Sequence, residues 1–224
     1  MLQKLTAIAV CALITRGVAT AQHDHADVEF HPAGVNLVVP PMDHEGEEYF
    51  VFPGVFGHEA TDPPNFTDHP GFAGAGFNED DLIGFNVVQE LLYWDGAALA
   101  PTPADHSVMI ENIISDVTVT GDSAPQTGFI FAEADGAGDV HQHIDFTLHG
   151  PGEPDGLTPG AYGLWLELTS PEYDVSNDFV IMLNYGLDHE EFEAGVHYVG
   201  EHVVPEPGGL ALLAALMLVT TRRR

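Results

Sequence analysis

Short apolar runs, separated by Gly, Pro, Asp and Ser, dominate the middle of this chain. Several of them alternate apolar and polar residues, and this alternation is the period of a β-strand with one buried face. The runs recur at intervals of roughly ten to fifteen residues, which is typical of all-β domains. They predict strands at residues 35–39, 48–52, 85–93, 108–110, 117–119, 129–131, 140–148, 161–168 and 179–183.

The predicted fold is a single all-β domain that covers residues 22–203. No long helical period occurs before the C-terminal tail, and the 24 Gly and 16 Pro favour many turns. These features indicate a jelly-roll-like β-sandwich. The segment 57–78 is rich in Gly and Pro and is predicted to be a surface loop, whereas Asp95-Gly96 predicts a turn.

Residues 1–21 have the pattern of a secretory signal peptide. A basic residue precedes an apolar stretch at residues 5–14, and Ala19 and Ala21 provide the small side chains of a cleavage site. The single cysteine, Cys11, lies inside the apolar stretch. Cleavage would remove it, so we expect a mature protein with no disulfide and no cysteine nucleophile.

The C-terminal tail, residues 204–224, has three parts. A Pro-Glu-Pro segment is followed by an uncharged stretch rich in Leu and Ala at residues 208–221, and then by three arginines. As a helix, the uncharged stretch would be about 21 Å long, whereas the hydrocarbon core of a bilayer is about 30 Å thick. We therefore expect a short hydrophobic membrane helix, with its arginines on the cytoplasmic side and the body outside.

These three parts together resemble the PEP-CTERM sorting signal of exported bacterial proteins. The resemblance implies export, processing by a membrane-embedded exosortase, and a destination at the cell surface or in the extracellular matrix, often in bacteria that make exopolysaccharide. It implies no activity for the rest of the chain. The residues that carry the resemblance are Val204, Pro205, Glu206, Pro207, Arg222, Arg223 and Arg224.

Charge is divided unevenly along the chain. The five Lys and Arg lie near the two ends, and all 35 Asp and Glu lie between them, so residues 22–221 have a formal charge of −35 with histidine neutral. Such a field repels nucleic acid and anionic lipid, which excludes both as partners of the body. It also requires counterions, which are dissolved salt, divalent cations or protonated histidine. Simple solubility in a salty environment and specific cation capture are both open at this point.

The segment 140–149 carries the strongest chemical signal. In a strand its apolar side chains point to one face and its polar side chains to the other. His141 and His143 would then lie about 6–7 Å apart at the backbone and converge on one transition metal, with Asp145 and His149 as further candidate ligands. An exposed polar sheet face is the alternative reading, and the sequence does not identify a ligand from elsewhere in the chain.

A second polar cluster lies at the mature N-terminus. If this segment is extended, one face carries His25, Asp27, Glu29 and His31. Such a segment binds metal opportunistically when frayed, and simple solvation of a first strand is the alternative. The acidic runs 79–81 and 188–191 offer oxygen ligands for Ca²⁺ without matching an EF-hand loop, and a solvated charge run is the alternative for each.

The sequence favours a binding or structural protein over an enzyme. No nucleophile elbow, phosphate-binding loop or His-Glu-x-x-His motif is present, so we expect no catalytic residues. The first hypothesis is an envelope or matrix protein that associates with divalent cations or exopolysaccharide. A metal-binding protein or metalloenzyme that uses the two strand histidines is the first alternative. The second is a carbohydrate-binding module that uses Tyr93, Trp94 and Trp165, although such aromatic residues more often pack in a core.

Overall fold

The computed structural model describes residues 27–204 of the protein, apart from residues 45, 114 and 155. The predicted signal peptide, the sorting motif beyond Val204, the predicted helix at 208–221 and the terminal arginines lie outside the described residues. The strands are β1 (Val28–Ala33), β2 (Asn36–Val38), β3 (Met42–His44), β4 (Glu47–Tyr49), β5 (Val51–Val55), β6 (Phe66–Thr67), β7 (Phe72–Ala75), β8 (Leu82–Val87), β9 (Leu92–Trp94), β10 (Leu99–Ala100), β11 (Ser107–Glu111), β12 (Asp116–Thr120), β13 (Gln126–Glu133), β14 (Asp139–Gln142), β15 (Asp145–His149), β16 (Gly160–Thr169) and β17 (Phe179–Tyr185), followed by the helix α1 (His189–His202).

The described part of the chain is mostly β, as the sequence predicts. A seven-stranded sheet is built around β16, which pairs with β17 along one side and with β8 and β9 along the other. Two four-stranded sheets have the orders β14-β7-β1-β2 and β12-β11-β15-β6, and β3 and β4 form a separate hairpin. The predicted turn at Asp95-Gly96 is confirmed, because it joins β9 to β10.

Both faces of the seven-stranded sheet are covered. One face shares a continuous hydrophobic cluster with the inner faces of both four-stranded sheets, and this cluster includes Phe85, Phe72 and Phe146. The other face packs on α1, where Val180 and Phe192 belong to a second cluster. This double burial explains why β17 reads as an unbroken apolar run in the sequence instead of an alternating one.

The helix α1 contradicts the expectation that no long helix precedes the tail. It begins with a capping box, in which the Asp188 side chain accepts a hydrogen bond from the Glu191 N–H and the Glu191 side chain accepts one from the Asp188 N–H. The acidic run 188–191, considered above for Ca²⁺, therefore serves as a helix start. Val204 follows the helix and is buried in the second cluster, so the packed body extends to this residue.

The prediction of a surface loop at residues 57–78 is wrong. This segment contains β6 and β7, and β7 lies between β1 and β14 inside a sheet. Its strand sequence is Phe-Ala-Gly-Ala, which hides the strand because small residues have low β-propensity on their own. Side chains from neighbouring elements occupy the missing volume: an added Cβ at Gly74 would lie 2.5 Å from the Phe30 ring.

Three predicted strands are each broken into two. The segment 85–93 divides between β8 and β9, the segment 140–149 between β14 and β15, and the segment 48–52 between β4 and β5. The predicted alternation survives the second break, because Val140, Ile144, Phe146 and Leu148 are all buried. The polar residues of this segment nevertheless belong to two different sheets, which changes the set of ligands that they can form.

Candidate metal centre

The register of three neighbouring strands brings Asp27 and His143 together. Phe72 of β7 pairs with Val28 of β1 on one side and with Gln142 of β14 on the other. The residues at the ends of these strands, Asp27, Gly71 and His143, therefore lie side by side, and the N–H of Val28 donates to the Gly71 carbonyl at 2.8 Å. The N-terminal polar cluster and the histidine segment, separate in the sequence, meet at this sheet edge.

The central strand β7 presents only small residues to the face that carries these side chains. Ala73 pairs with His141 on one side and with Glu29 on the other, so all three share the face of Gly71. Phe72, which points the opposite way, is fully buried in the core. The small side chains of β7 leave a trough on the outer face of the sheet, and side chains from the β14 and β1 sides can meet across it.

Three potential ligands gather in this trough. The ligand atoms of Asp27, His141 and His143 all lie within 4.8 Å of one another. Oδ2 of Asp27 is 3.2 Å from Nε2 of His141, and the two imidazole ring centres are 5.3 Å apart. Oδ1 of Asp27 accepts a hydrogen bond from the Gly71 N–H at 3.2 Å, so the backbone orients this carboxylate.

The ring of His143 is also oriented by the backbone. Its Nδ1 lies 3.0 Å from the carbonyl oxygen of Asp68 and, as a donor there, leaves the Nε2 lone pair for a metal. A Cβ added at Gly71 would lie 3.0 Å from this Nε2 and 2.8 Å from Oδ1 of Asp27. Both ligand groups therefore border the small space that glycine leaves open.

A second group of potential ligands lies on the other side of the same ring. Asp68 and His69 follow β6, and their ligand atoms lie within 4.8 Å of one another and of His143. The Asp68 carboxylate spans the two rings: Oδ1 is 3.6 Å from Nε2 of His69, and Oδ2 is 3.8 Å from Nδ1 of His143. The His69 and His143 ring centres are 5.0 Å apart and nearly perpendicular.

The chain topology explains why these two groups adjoin. β6 pairs with β15 in one four-stranded sheet, and β7 pairs with β14 in the other. The link from β6 to β7 and the link from β14 to β15 therefore cross between the sheets side by side. The first link carries Asp68 and His69, and the second carries His143.

The donor set of these residues suits a transition metal better than Ca²⁺. Imidazole nitrogens with carboxylate oxygen favour ions such as Zn²⁺, Cu²⁺ or Ni²⁺, whereas Ca²⁺ takes oxygen ligands. The side chain of Asp27 is 24% exposed and that of His141 is 66% exposed, so the site lies at the surface. Two histidines and one carboxylate leave a coordination position for water or another ligand.

Two of the four predicted ligands are brought together and two are not. His141 and His143 are neighbours, as the sequence suggests. His149 instead lies at the far end of β15, where its Nδ1 is 2.9 Å from Oε2 of Glu153. Asp145 lies just beyond the break between β14 and β15, and it belongs to neither group of gathered ligand atoms.

Asp145 lines a cleft that begins beside His143. The cleft has a volume of about 410 Å³ and is bordered by Gln142 as well as by Glu111 on a neighbouring strand. Partial desolvation of the carboxyl group, followed by the charges of Asp68 and Glu111, raises the pKa of Asp145. Negative charge is therefore concentrated on this side of the histidines.

One residue of the acidic run 79–81, Asp81, has a structural role. Asp81 is buried, and its Oδ2 accepts hydrogen bonds from the N–H and the side-chain amide of Asn78 and from the Tyr173 hydroxyl. Of the N-terminal cluster, Asp27 enters the site, Glu29 and His31 are exposed on β1, and His25 lies outside the described residues.

Sequence reasoning missed Asp68, His69 and the role of Gly71. All three lie within the segment that was predicted to be a loop. A polar Asp-His pair followed by Pro-Gly was the available signal, but only the pairing of β6 with β15 and of β7 with β14 shows that it reaches His143.

Comparison of the chain with models of known protein families, with curated proteins and with solved structures gave no match. Within residues 27–204, no helix combines the length and the apolar composition that a membrane span requires. Function must therefore be inferred from the site itself.

Proposed function

We propose that this protein is an exported, non-enzymatic component of the bacterial cell envelope or extracellular matrix, whose body binds a divalent transition metal at Asp27, His141 and His143. The pattern of residues 1–21 and the PEP-CTERM-like tail support export, handling by an exosortase and anchorage through the C-terminal hydrophobic helix. The acidic body supports cation capture over any association with nucleic acid or anionic lipid.

The observation that carries the metal proposal is the convergence of three ligands from two non-adjacent strands. Convergence alone is common among exposed acidic side chains, but here the backbone orients both Asp27 and His143. The Gly71 N–H donates to the Asp27 carboxylate, and Nδ1 of His143 donates to the Asp68 carbonyl oxygen. Such supporting contacts are characteristic of metal ligands. The glycine that separates the two ligands leaves room for both.

We further propose that the body is a jelly-roll-like β-sandwich. One face of the seven-stranded sheet and the inner faces of the two four-stranded sheets share one hydrophobic cluster, which supports this arrangement. The metal site would then lie on the outer surface of one layer, where a partner in the matrix can reach it.

The carbohydrate-binding alternative has less support. Trp94 and Trp165 are only 4% and 5% exposed, so neither indole offers a face to a sugar ring. The indole N–H of Trp94 donates to the Glu191 carbonyl at 3.0 Å, which fixes the ring against α1. Polysaccharide contact through the bound metal remains compatible with the proposal.

Metal analysis of the full chain, purified without a histidine tag, tests the metal proposal. After dialysis against buffer that contains trace Zn²⁺, we expect Zn²⁺ to be bound to the wild-type protein. We expect this bound Zn²⁺ to be lost in the double variant His141→Gln, His143→Gln. His31→Gln is the matched control, since His31 is exposed on β1 outside the site. Unchanged metal content in the double variant would refute the site.

The export proposal has a separate test. The intact mass of the protein recovered from the native envelope should show removal of residues 1–21 and reports whether the tail is retained. Recovery of the unprocessed chain from the cytosol would contradict export, whatever the metal content.

A further inference from the structure

Four histidine rings lie in a row on this surface. The distances between consecutive ring centres are 5.4 Å from His58 to His69, 5.0 Å from His69 to His143, and 5.3 Å from His143 to His141. Each ring meets the next edge to face. Asp68 lies beside the gap between His69 and His143, and Asp27 lies beside the gap between His143 and His141.

His143 is the shared member of this row, because each of its two ring nitrogens faces a different set of ligands. Nε2 borders the space above Gly71 beside Asp27, and Nδ1 faces Asp68. The ligand atoms of Asp27 and His141 lie within reach of one metal, and those of Asp68 and His69 lie within reach of another. Each side thus offers one carboxylate and one histidine besides the shared ring.

We propose that this row binds two divalent metal ions that share the imidazole of His143. The first ion occupies the site between Asp27, His141 and Nε2 of His143, and the second lies between Asp68, His69 and Nδ1 of His143. This inference rests on the proposed function, because it adds a second ion to the same site.

Binding of the second ion requires one exchange at His143. The Nδ1–H hydrogen bond to the Asp68 carbonyl, at 3.0 Å, breaks, the proton leaves to solvent, and the Nδ1 lone pair then binds the second ion. The ring then bridges the two ions as imidazolate. Because metal ligands must be deprotonated, this step makes the second ion more sensitive to acid than the first.

The charge of the body favours two ions at this place. Residues 22–221 contain no Lys or Arg, and Asp145 and Glu111 line the cleft beside His143. Two divalent ions on one ring repel each other, so we expect the second ion to bind more weakly. The anionic bridge and the two carboxylates reduce this repulsion.

Zn²⁺ titration of the full, untagged chain by calorimetry, with metal content measured on the same samples, tests the proposal. We expect two ions per chain in the wild-type protein. The double variant Asp68→Asn, His69→Gln should keep one ion, and Asp27→Asn, His141→Gln should also keep one. His149→Gln, whose ring lies against Glu153 outside both groups, should still bind two. His23→Gln, His25→Gln measures any contribution from the N-terminal histidines.

Electron paramagnetic resonance with Cu²⁺ tests the bridge itself. Two Cu²⁺ ions that share an imidazolate are magnetically coupled, so the signal of isolated Cu²⁺ should be reduced in the wild-type protein at two equivalents. In either double variant the one remaining Cu²⁺ ion has no coupled neighbour, so its signal should have the full intensity of an isolated ion. Circular dichroism and thermal melting of each variant show that a lost ion is not due to a lost fold.

The outcomes separate the two proposals. One ion in the wild-type protein that is lost on changing His141 and unaffected by changing Asp68 and His69 would overturn the second ion and leave the proposed function intact. Two ions without magnetic coupling would overturn the sharing of His143. No bound ion in the wild-type protein would overturn both.

Discussion

Nε2 of His141 lies 3.2 Å from Oδ2 of Asp27, although β14 and β1 are not neighbours in their sheet. The two strands are separated by β7 and hence by about 9–10 Å, which is two strand spacings. The side chains can meet because only Gly71, just before β7, and Ala73 of β7 lie between them. Small residues that offer no ligand are therefore part of the proposed metal site.

Gly71→Ala should weaken metal binding without removing any ligand. The new Cβ would lie 2.8 Å from Oδ1 of Asp27 and 3.0 Å from Nε2 of His143, so at least one ligand must move. Supporting residues of metal sites typically contribute about 10- to 100-fold to affinity, and we expect a loss in this range. Competition with a Zn²⁺ chelator measures it.

The matched control for this change is Gly136→Ala. An added Cβ at Gly136 would meet only the Glu79 side chain at 3.6 Å, which is an ordinary contact. We expect wild-type affinity for this variant. Equal affinity in the Gly71 and Gly136 variants would show that the space above Gly71 does not matter for metal binding.

Metal affinity should fall steeply when the solution is acidified. Imidazole binds a metal only when it is neutral, so protons compete for each histidine ligand. Chelator competition at about pH 7.5 and about pH 5.5 measures the effect, which should be smaller in His141→Gln because one competing ring is gone. Affinity that does not change over this range would indicate ligation by carboxylates alone.

Asp145→Asn should stabilise the metal-free protein at neutral pH. The pKa of Asp145 is raised in the folded state, by partial desolvation and then by Asp68 and Glu111. A carboxyl group with a raised folded pKa destabilises the fold at pH values above that pKa, where it is ionised. This penalty disappears below the unfolded value of 3.8, where the group is protonated in both states.

Thermal melting of chelator-treated protein at about pH 7 and about pH 3 checks this prediction. Glu133→Gln, at an exposed position on β13, controls for the general loss of one negative charge from an acidic body. We expect a larger gain for the Asp145 variant at neutral pH and a vanishing gain in acid. A gain that is equal for both variants would assign the effect to net charge.

Asp188→Ala should destabilise the protein through α1. The variant loses the side chain that accepts a hydrogen bond from the Glu191 N–H at 2.9 Å, and loss of such an N-cap typically costs about 1 kcal/mol. Denaturant unfolding, followed by circular dichroism, measures the change. Glu190→Ala alters the same turn without touching the capping box and should have a smaller effect. Equal losses would argue against the cap.

The pairing of His141 with His143 was predictable because it depends only on strand alternation over three residues. The place of Asp27 was not, because it depends on the register between β1, β7 and β14, which are distant in sequence. Asp68 and His69 were hidden for a different reason. They belong to a Gly- and Pro-rich segment whose strand gains its stability from neighbouring rings.

The helix α1 was missed because its apolar residues are few and it contains glycine. Gly195 and Gly200 lower helix propensity, yet an added Cβ would lie 2.8 Å from the Trp94 indole at one position and 2.5 Å from the Tyr49 ring at the other. Both glycines thus let the helix approach the sheet. The Asp188 and Glu191 pair was a readable start signal that looked like an acidic run.

The two links that carry the ligands also join the two four-stranded sheets. Ions bound between His143 and the residues before β7 would cross-link these two connections and so hold the two sheets together at the surface. A matrix that supplies or withholds metal would then set how firmly the layer resists mechanical opening. Chelation should make the β6–β7 corner the first part of the body to exchange its amide hydrogens.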